Sequence, residues 1–198
     1  MGCIDHSAYF ENSKYWLHKH ICKSAHKVLG VDYEKEEIKK LTRKGYNIIC
    51  QNVENLNLNR KFDVIIAGEL IEHLDNPGLF LDKVKSHLKK DGVLILTTPN
   101  SNSIINFIEV IVFGQVAINP EHKLWHNYST LKQLLINKGF RISKFYYISP
   151  PNTHFYKGVK KTVIYLRYIL QKIVVTFRKD FSSNLLCIAK IDTTIKGK

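Results

Sequence analysis

The residues best suited to chemistry follow an apolar run at residues 62–67, which predicts a strand buried on both faces. Gly68 and Glu69 end the run, and Glu72 and His73 come shortly afterwards. Carboxylates accept hydrogen bonds, and imidazoles exchange protons near neutral pH. Because open α/β sheets bind ligands at the carboxyl ends of their strands, we expect these four residues to line a crevice.

A further acidic residue, Asp32, ends a second predicted strand at residues 27–32. A carboxylate at this position can accept hydrogen bonds from both ribose hydroxyls of an adenosine, as in dinucleotide-binding folds. Alternatively, Asp32 only caps the predicted helix at residues 34–44, which Gly45 terminates. The sequence leaves both interpretations open.

The elements that position the crevice follow it directly. Asn76 supplies a side-chain acceptor for a helix N-cap, and Pro77 suits the first helical position because it has no N–H to leave unsatisfied. The helix is expected to end at residues 91–92, and residues 92–100 predict the next buried strand, which completes a βαβ unit. The side chains expected to face the sheet are Leu79, Phe80, Leu81, Val84 and Leu88.

Residues 62–100, FDVIIAGELIEHLDNPGLFLDKVKSHLKKDGVLILTTPN, resemble the central part of the class I S-adenosylmethionine-dependent methyltransferases. The similar branch includes the ubiquinone-biosynthesis O-methyltransferases and many enzymes of surface-glycan gene clusters. The markers are ELIEHL after the strand and GVLILTTPN after the helix, and weaker similarity extends from about residue 2 to about residue 148. The resemblance implies an α/β fold, a three-layer Rossmann-like sandwich whose mostly parallel sheet has an antiparallel last strand, with S-adenosylmethionine as cofactor.

The resemblance also implies a cofactor site. Asp32 matches the acid that binds the cofactor's ribose, and Asn52 stands where the family has an acid for the adenine amino group. An amide oxygen can still accept that hydrogen bond, although without charge. Gly2 matches a glycine beside the amino-acid moiety of the cofactor. The complete implied set is Gly2, Cys3, Asp32, Asn52, Val53, Glu54, Gly68 and Glu69.

The beginning of the chain departs from the family pattern. Residues 1–10 resemble only the second half of the motif that ends the family's first strand, and the strand itself is missing. In this fold that strand lies in the middle of the sheet. Three explanations are open: a start codon assigned too late, a truncated paralogue, or another segment that fills the gap.

Methyl transfer to an oxygen also needs a base. The displacement at a sulfonium depends mainly on holding acceptor, methyl and sulfur in line in a dry pocket. The acceptor proton must go to a group that titrates near neutral pH, which a histidine can provide. The candidates are His122, His73 and His126, and we favour His122 because it matches the family's histidine. Alternatively, each histidine only hydrogen-bonds backbone. No acidic or histidine cluster shows metal-ligand spacing, so no metal is expected.

Composition predicts one domain over residues 1–198, because this length and 44% hydrophobic residues suffice for one ordinary core. Four cysteines without paired spacing indicate free thiols in a reducing cytoplasm. The chain has no secretory signal pattern after Met1.

The positive charge of the chain lies mainly in its last third. Residues 139–198 contain twelve Lys or Arg against two Asp, which leaves a net charge of only +3 on the first 138 residues. Residues 157–180 predict a basic amphipathic helical insertion, with Lys160, Arg167, Gln171 and Arg178 on its polar side. Peripheral contact with a membrane surface, packing on the domain, and dimerisation are all open, whereas nucleic acid is the least favoured partner. The expected apolar side contains Val163, Ile164, Leu166, Ile169, Leu170, Ile173, Val174 and Phe177.

Residues 103–118 form a second apolar segment with one charge, Glu109. The segment is too short to cross a bilayer. In the family that it resembles, this position commonly carries a helical lid over the acceptor, so an apolar lid implies an apolar acceptor or a membrane-surface location. The alternative is a buried core helix.

The sequence therefore predicts a cytoplasmic methyltransferase, monomeric or dimeric, that acts on a small, sugar or lipid-linked acceptor. The alternative is a catalytically impaired member of the same fold that binds the cofactor or docks on a membrane or partner. Binding of S-adenosylmethionine together with methyl transfer distinguishes the two.

Overall fold

A computed structural model describes residues 1–4, 13, 15–116, 119–149 and 159–194. Helices and strands alternate along most of this part of the chain, which confirms the predicted α/β class. The helices are α1 (Leu17–Ser24), α2 (Lys35–Arg43), α3 (Pro77–His87), α4 (Ile104–Phe113), α5 (Tyr128–Asn137) and α6 (Val159–Phe177). The strands are β1 (Gly30–Asp32), β2 (Ile48–Cys50), β3 (Phe62–Gly68), β4 (Leu88–Pro99), β5 (Phe140–Ile148) and β6 (Asn184–Ile191).

The strands form two sheets. One contains β1 and β2 in parallel, and the other has the order β3-β4-β6-β5. Strand β4 is parallel to β3, whereas β6 is antiparallel to both β4 and β5, which confirms the antiparallel last strand. Among the described residues the parallel part is thus divided in two, rather than forming the single sheet that we predicted.

The first residues of the chain lie between these two sheets. The Met1 ammonium donates to the Ile66 carbonyl at 2.8 Å, and the Gly2 N–H donates to the Val31 carbonyl at 2.9 Å. Residues 1 and 2 therefore each bond to one of the two facing strands, β3 and β1. Among the described residues, no strand pairs with both of them.

Strand β3 is buried on one face only, and the prediction of a strand buried on both faces is wrong. Ile65 and Ala67 lie in the main core, but the Val64 side chain is 46% exposed. Val64 and Ile66 face the cavity described below.

Helix α3 begins as the sequence predicts. The Asn76 side chain accepts a hydrogen bond from the Leu79 N–H at 2.9 Å, and Pro77 occupies the first turn. The helix ends at His87, earlier than predicted, because Leu88 already pairs with Phe62 in strand β4. The expected inward side chains are buried except Leu79, which is exposed because it lies on the opposite stripe of the helix.

The main core lies between the β3-β4-β6-β5 sheet and helices α3 and α5. Asn127 caps the N-terminus of α5 in a capping box with Thr130. Gly139, with a φ of +76°, ends the turn that follows this helix. A smaller cluster forms around Trp16 beneath α1 and α2.

All four cysteines are free thiols, as predicted. In the described part of the chain, no helix combines the length and apolar character that a membrane span requires.

Candidate functional site

A cavity of about 1550 Å³ opens at the carboxyl ends of β1, β2 and β3. Its size reflects the open space between the two sheets, because Val64 and other β3 residues form part of its wall. The cavity brings together residues from distant parts of the chain. The predicted site residues on its wall are Gly2, Cys3, Asp32, Asn52, Val53, Glu54, Gly68, Glu69, His73 and His122.

Asp32 ends β1 and is buried with both carboxylate oxygens bonded to backbone. One oxygen accepts from the Ile4 N–H at 2.9 Å, and the other from the N–H groups of Tyr33 at 2.8 Å and Glu34 at 3.3 Å. Asp32 is not the N-cap of α2, which is Glu34. These bonds use three of the roughly four acceptor positions of a carboxylate. Asp32 thus fixes the turn after β1 and the N-terminal segment, with limited capacity left for a ligand.

The loop after β2 lies beside Asp32, because the Gln51 N–H donates to the Asp32 carbonyl at 2.8 Å. Asn52 is exposed, and its amide oxygen accepts from the Glu54 N–H at 2.8 Å, which caps a single 3₁₀ turn. Val53 is buried in the core while bordering the cavity. Glu54 accepts a hydrogen bond from the Asn76 N–H and so ties this loop to the start of α3.

The N-terminal residues form another wall of the cavity. Gly2 has a φ of +61°, and a Cβ at this position would lie 3.0 Å from Leu70 Cδ1. Both the conformation and the space therefore favour glycine. Cys3 is buried beside Trp16, whose indole N–H donates to the Cys3 carbonyl at 2.9 Å. Burial raises the pKa of the Cys3 thiol to about 12, so the thiol is neutral and packs as a small apolar group.

Glu69 follows β3 with a φ of +47°, a conformation that few non-glycine residues adopt. Its N–H donates to the Thr97 carbonyl and hydroxyl, both at 3.1 Å, and its carboxylate accepts from the Asn184 amide at 2.9 Å. The carboxylate faces the cavity, but the protein atoms around it still raise its pKa by desolvation. Strands β4 and β6 therefore hold Glu69 in place.

Glu72 is the most deeply buried acid of the site, with an exposed fraction of 1%. One carboxylate oxygen accepts from the Thr98 hydroxyl at 3.1 Å, and the other has no hydrogen-bond partner among the described residues. Burial, followed by the nearby charge of Glu69, raises the pKa of Glu72 to about 8. The carboxyl group is therefore mainly protonated at neutral pH.

His73 and His122 meet at the wall of the cavity. Their ring centroids are 4.7 Å apart, with an angle of 84° between the ring planes. His73 Nδ1 lies 3.2 Å from the Glu121 carbonyl, and the N–H groups of Lys123 and Leu124 donate to the Glu72 carbonyl. These contacts hold the loop before α5 against the segment after β3.

His126 lies elsewhere. It is buried, does not contribute to the cavity wall, and its backbone forms a parallel bridge with Asn100. Burial lowers its pKa, and both ring nitrogens are without a hydrogen-bond partner among the described residues. The structure thus brings two of the three predicted candidate bases together at the cavity and places the third in the core.

Glu72, His73 and His122 form a candidate metal centre, since their potential ligand atoms all lie within 4.8 Å of one another. Imidazole nitrogen with carboxylate oxygen is a ligand set that zinc and other first-row transition metals accept. A bound metal ion would also place a positive charge beside the Glu72 carboxylate, which has one oxygen without a hydrogen-bond partner among the described residues. The sequence did not indicate this group, because its members belong to two loops far apart in the chain.

Sequence reasoning also missed Thr97, Thr98 and Asn184, which position Glu69 and Glu72. The available signals were their place at or beside strand ends and, for the two threonines, their place in the GVLILTTPN marker. Those signals do not identify the strand that becomes the neighbour of β3.

A family model described as a methyltransferase domain matches residues 15–156. The chain belongs to this methyltransferase-domain family. The match includes β1 to β5 and the segments that carry most of the cavity wall. The resemblance drawn from ELIEHL and GVLILTTPN is therefore confirmed.

Similar proteins in this family include ubiquinone biosynthesis O-methyltransferases. The protein of that name from Nitrobacter winogradskyi is 40% identical over 53 residues, which cover 27% of this chain and 20% of that protein. The mitochondrial protein from Dictyostelium discoideum is 26% identical over 132 residues, which cover 56% of this chain and 40% of that protein. The chain thus spans two fifths or less of the length of these two relatives.

The fold is similar to that of a SAM-dependent methyltransferase from Archaeoglobus fulgidus. The TM-score is 0.60 at 22% identity, and the alignment covers 87% of this chain and 80% of that chain. At this identity the similarity shows the fold, which agrees with the Rossmann-like architecture that we predicted.

Proposed function

We propose that this protein is an S-adenosylmethionine-dependent methyltransferase that methylates an oxygen of a small, sugar-containing or lipid-linked acceptor. The observation that carries the proposal is the meeting of Asp32, Asn52 and Glu69 at one cavity, each just after or at the carboxyl end of a parallel strand. The relatives named as O-methyltransferases and the SAM-dependent structural neighbour support the reaction type and the cofactor.

In this proposal the acceptor position that remains on the Asp32 carboxylate binds the ribose, and Asn52 accepts a hydrogen bond from the adenine amino group. The Asn52 oxygen already accepts from a backbone N–H and has one further lone pair for this purpose. Val53 and Glu54 border the adenine, while Gly2, Cys3, Gly68 and Glu69 surround the amino-acid end of the cofactor.

We propose His122 as the base that takes the acceptor proton, with His73 as the alternative. Both rings border the cavity, whereas His126 is enclosed in the core. His126 therefore serves to position the segment between β4 and α5. The Glu72 carboxyl can donate a hydrogen bond to the acceptor when protonated, or ligate a cation when ionised.

Calorimetric titration of S-adenosylmethionine into the full chain tests the cofactor site. Asp32→Asn is expected to weaken binding about tenfold or more, because a hydrogen bond to a charged group contributes about 1.5–3 kcal/mol. The control is Glu36→Gln on the outer face of α2, where the carboxylate pairs with the exposed Lys39. We expect this control to bind as the parent chain does.

Absence of binding at millimolar cofactor by a chain that is folded by circular dichroism would contradict the proposal. The alternative, a member that binds the cofactor without transferring its methyl group, is favoured by the finding that no described strand pairs with both β1 and β3. Binding without transfer from methyl-labelled cofactor to any small-molecule or lipid fraction would establish that alternative.

The location and assembly of the protein also belong to the proposal. Four free thiols suit a reducing compartment such as the cytoplasm. A monomer or dimer, little affinity for nucleic acid, and peripheral membrane contact through residues 157–180 remain predictions from the sequence.

A further inference from the structure

Helix α6 turns a polar side chain toward the domain. Gln171 has an exposed fraction of 6%, and its amide donates to the hydroxyls of Ser149 and Ser183. The sequence predicted Gln171 on the outer, polar side of an amphipathic helix. The observed orientation is the opposite, because the two serines beside β5 and β6 offer acceptors that an apolar side chain cannot use.

Among the α6 side chains that the structure describes, an apolar stripe faces outward, with the exposed Lys172 and Thr176 beside it. Tyr165, Ile169, Ile173 and Phe177 recur at every fourth position and are all exposed, with Phe177 at 81%. Side chains four residues apart lie on one face of a helix, so they form a stripe about 18 Å long. Leu170 borders this stripe and is also exposed.

Helix α4 has the same inverted arrangement and packs against α6. Its single charged residue, Glu109, is buried, whereas Phe107, Val110 and Ile111 are exposed, Ile111 at 83%. The Phe107 ring contacts Phe181 just after α6, with centroids 6.1 Å apart. We call the following set the α4–α6 surface: Phe107, Val110, Ile111, Tyr165, Ile169, Leu170, Ile173 and Phe177.

An apolar surface of this kind on a water-exposed domain indicates a binding partner. Positive charge flanks the surface, with exposed Lys172 on α6 and exposed Arg178 and Lys179 directly after it. A second copy of the chain would bring the same positive charges to the contact, because the chain carries a net charge of +13. An anionic lipid surface offers both an apolar layer and the complementary charge.

We propose that the α4–α6 surface docks on an anionic lipid bilayer, with both helices lying in the plane of the interface. The apolar side chains enter the boundary between headgroups and acyl chains, and Lys172, Arg178 and Lys179 meet the lipid phosphates. The inference depends on the orientation of the two helices and holds whether or not the cavity transfers methyl groups.

Strand β4 connects the docking surface to the candidate site. Helix α4 follows directly after β4, whose carboxyl end holds Glu72 through Thr98. Asn100 connects this end of β4 to the residues after α6 by donating to the carbonyls of Asp180 and Ser182. If the proposed function holds, this edge is where a lipid-linked acceptor would enter from the bilayer.

Sedimentation of the full chain with vesicles tests the docking. The protein is expected to sediment with vesicles that contain phosphatidylglycerol, and much less with pure phosphatidylcholine. Added salt should weaken the association, because exposed charges are screened over about 10 Å at 0.1 M salt. Equal partition into neutral and anionic vesicles, or none into either at low salt, would overturn the proposal.

Substitutions test which surface is responsible. Ile111→Ser with Phe177→Ser is expected to reduce vesicle partition at least tenfold, because two large apolar side chains would no longer be buried in the lipid. Ile136→Ser is the control, since Ile136 is an exposed apolar residue on α5 and is not a member of this surface. Equal losses in the control and the double variant would refute the assignment, as would no loss in the double variant.

Charge substitutions and self-association provide the remaining tests. Arg178→Ala with Lys179→Ala should weaken binding to anionic vesicles only, whereas Lys61→Ala, at an exposed lysine before β3, should not. Sedimentation equilibrium without lipid should show no dimer that the Ile111 and Phe177 substitutions dissociate. Such a dimer would mean that a second copy covers the surface, and the lipid proposal would fail.

Discussion

Glu72 and His122 present their potential ligand atoms within 4.8 Å of each other, although one follows β3 and the other precedes α5. The backbone reinforces this contact, because the Lys123 N–H donates to the Glu72 carbonyl at 2.8 Å. A buried acid with an unpartnered oxygen and an imidazole thus meet at the wall of the cavity. This relationship supports predictions on both pH dependence and metal binding.

Glu72 should make the protein less stable as pH rises. Its pKa is about 8 in the folded state against an ordinary value of 4.5, so the folded state retains a proton that the unfolded chain releases. The contribution of Glu72 to stability is fully present below about pH 4.5 and is lost as pH rises toward about pH 8, by up to about 4 kcal/mol. Urea unfolding of the parent chain and Glu72→Gln between about pH 5 and about pH 8 measures this, and the variant should lose most of the slope.

Urea unfolding of Glu69→Gln over the same pH range tests how much the charge of Glu69 contributes to the pKa shift of Glu72. The Glu69 charge is a secondary cause of the Glu72 shift, so its removal should reduce the slope without abolishing it. A Glu72→Gln variant with the same pH dependence as the parent would show that Glu72 is not the group responsible.

Zinc should stabilise the folded protein through Glu72, His73 and His122. A ligand at about one hundred times its Kd raises the free energy of unfolding by about 2.7 kcal/mol, which thermal unfolding detects without any activity assay. His122→Ala should lose this response, whereas His26→Ala should retain it, because His26 is exposed and outside the cluster. A zinc response of equal size in both variants would place the metal elsewhere.

Gly2→Ala should reduce both stability and cofactor binding. A left-handed backbone costs an alanine about 1–2 kcal/mol, and the new Cβ would lie 3.0 Å from Leu70 Cδ1 at the cavity wall. Gly45→Ala is the matched control: it has a φ of +91° and nothing within 4 Å of the added Cβ. We expect a similar conformational cost in the control but unchanged calorimetric affinity for S-adenosylmethionine. Equal affinities for the two variants would mean that Gly2 does not shape the site.

Acetylation of Met1 should stabilise the protein near neutral pH. Burial lowers the pKa of its ammonium below the ordinary value of 8.0, so the unfolded chain binds the proton more strongly than the folded protein does. The contribution of Met1 to stability should therefore rise with pH through this range, opposite in sign to the contribution of Glu72. The acetylated chain should lose this rise, since its amide N–H can still donate to Ile66 without a charge. Chemical denaturation of both forms gives the comparison, and identical pH profiles would contradict it.

The space between β1 and β3 should accept an added strand. An apolar segment of about five residues fused before Met1 is expected to pair with both strands and to cover Val64, which is now 46% exposed. The midpoint of thermal unfolding should rise relative to a fusion of equal length made of Gly and Ser. If both fusions behave alike, the added segment does not enter this space.

Sequence alone determined the features that short segments encode. The Asn76 cap and the start of α3 at Pro77 were predictable because each depends on residues within one helical turn. The apolar run of β3 and its polar end predicted both the strand and the edge where Glu69 and Glu72 lie. The motif resemblance predicted the family and many of the residues that line the cavity.

Tertiary structure decided which side chains meet and which face water. The contact of His122 with Glu72, the burial of His126 and the exposure of Val64 depend on which loop or strand packs beside each residue, which local periodicity does not specify. Gln171 is the clearest example. Its position in the helix predicted an outer polar face, but its amide donates to the hydroxyls of Ser149 and Ser183 and is buried. Because these long-range hydrogen bonds hold Gln171 against the domain, the apolar stripe of α6 faces water. Such bonds can be seen only in the folded chain.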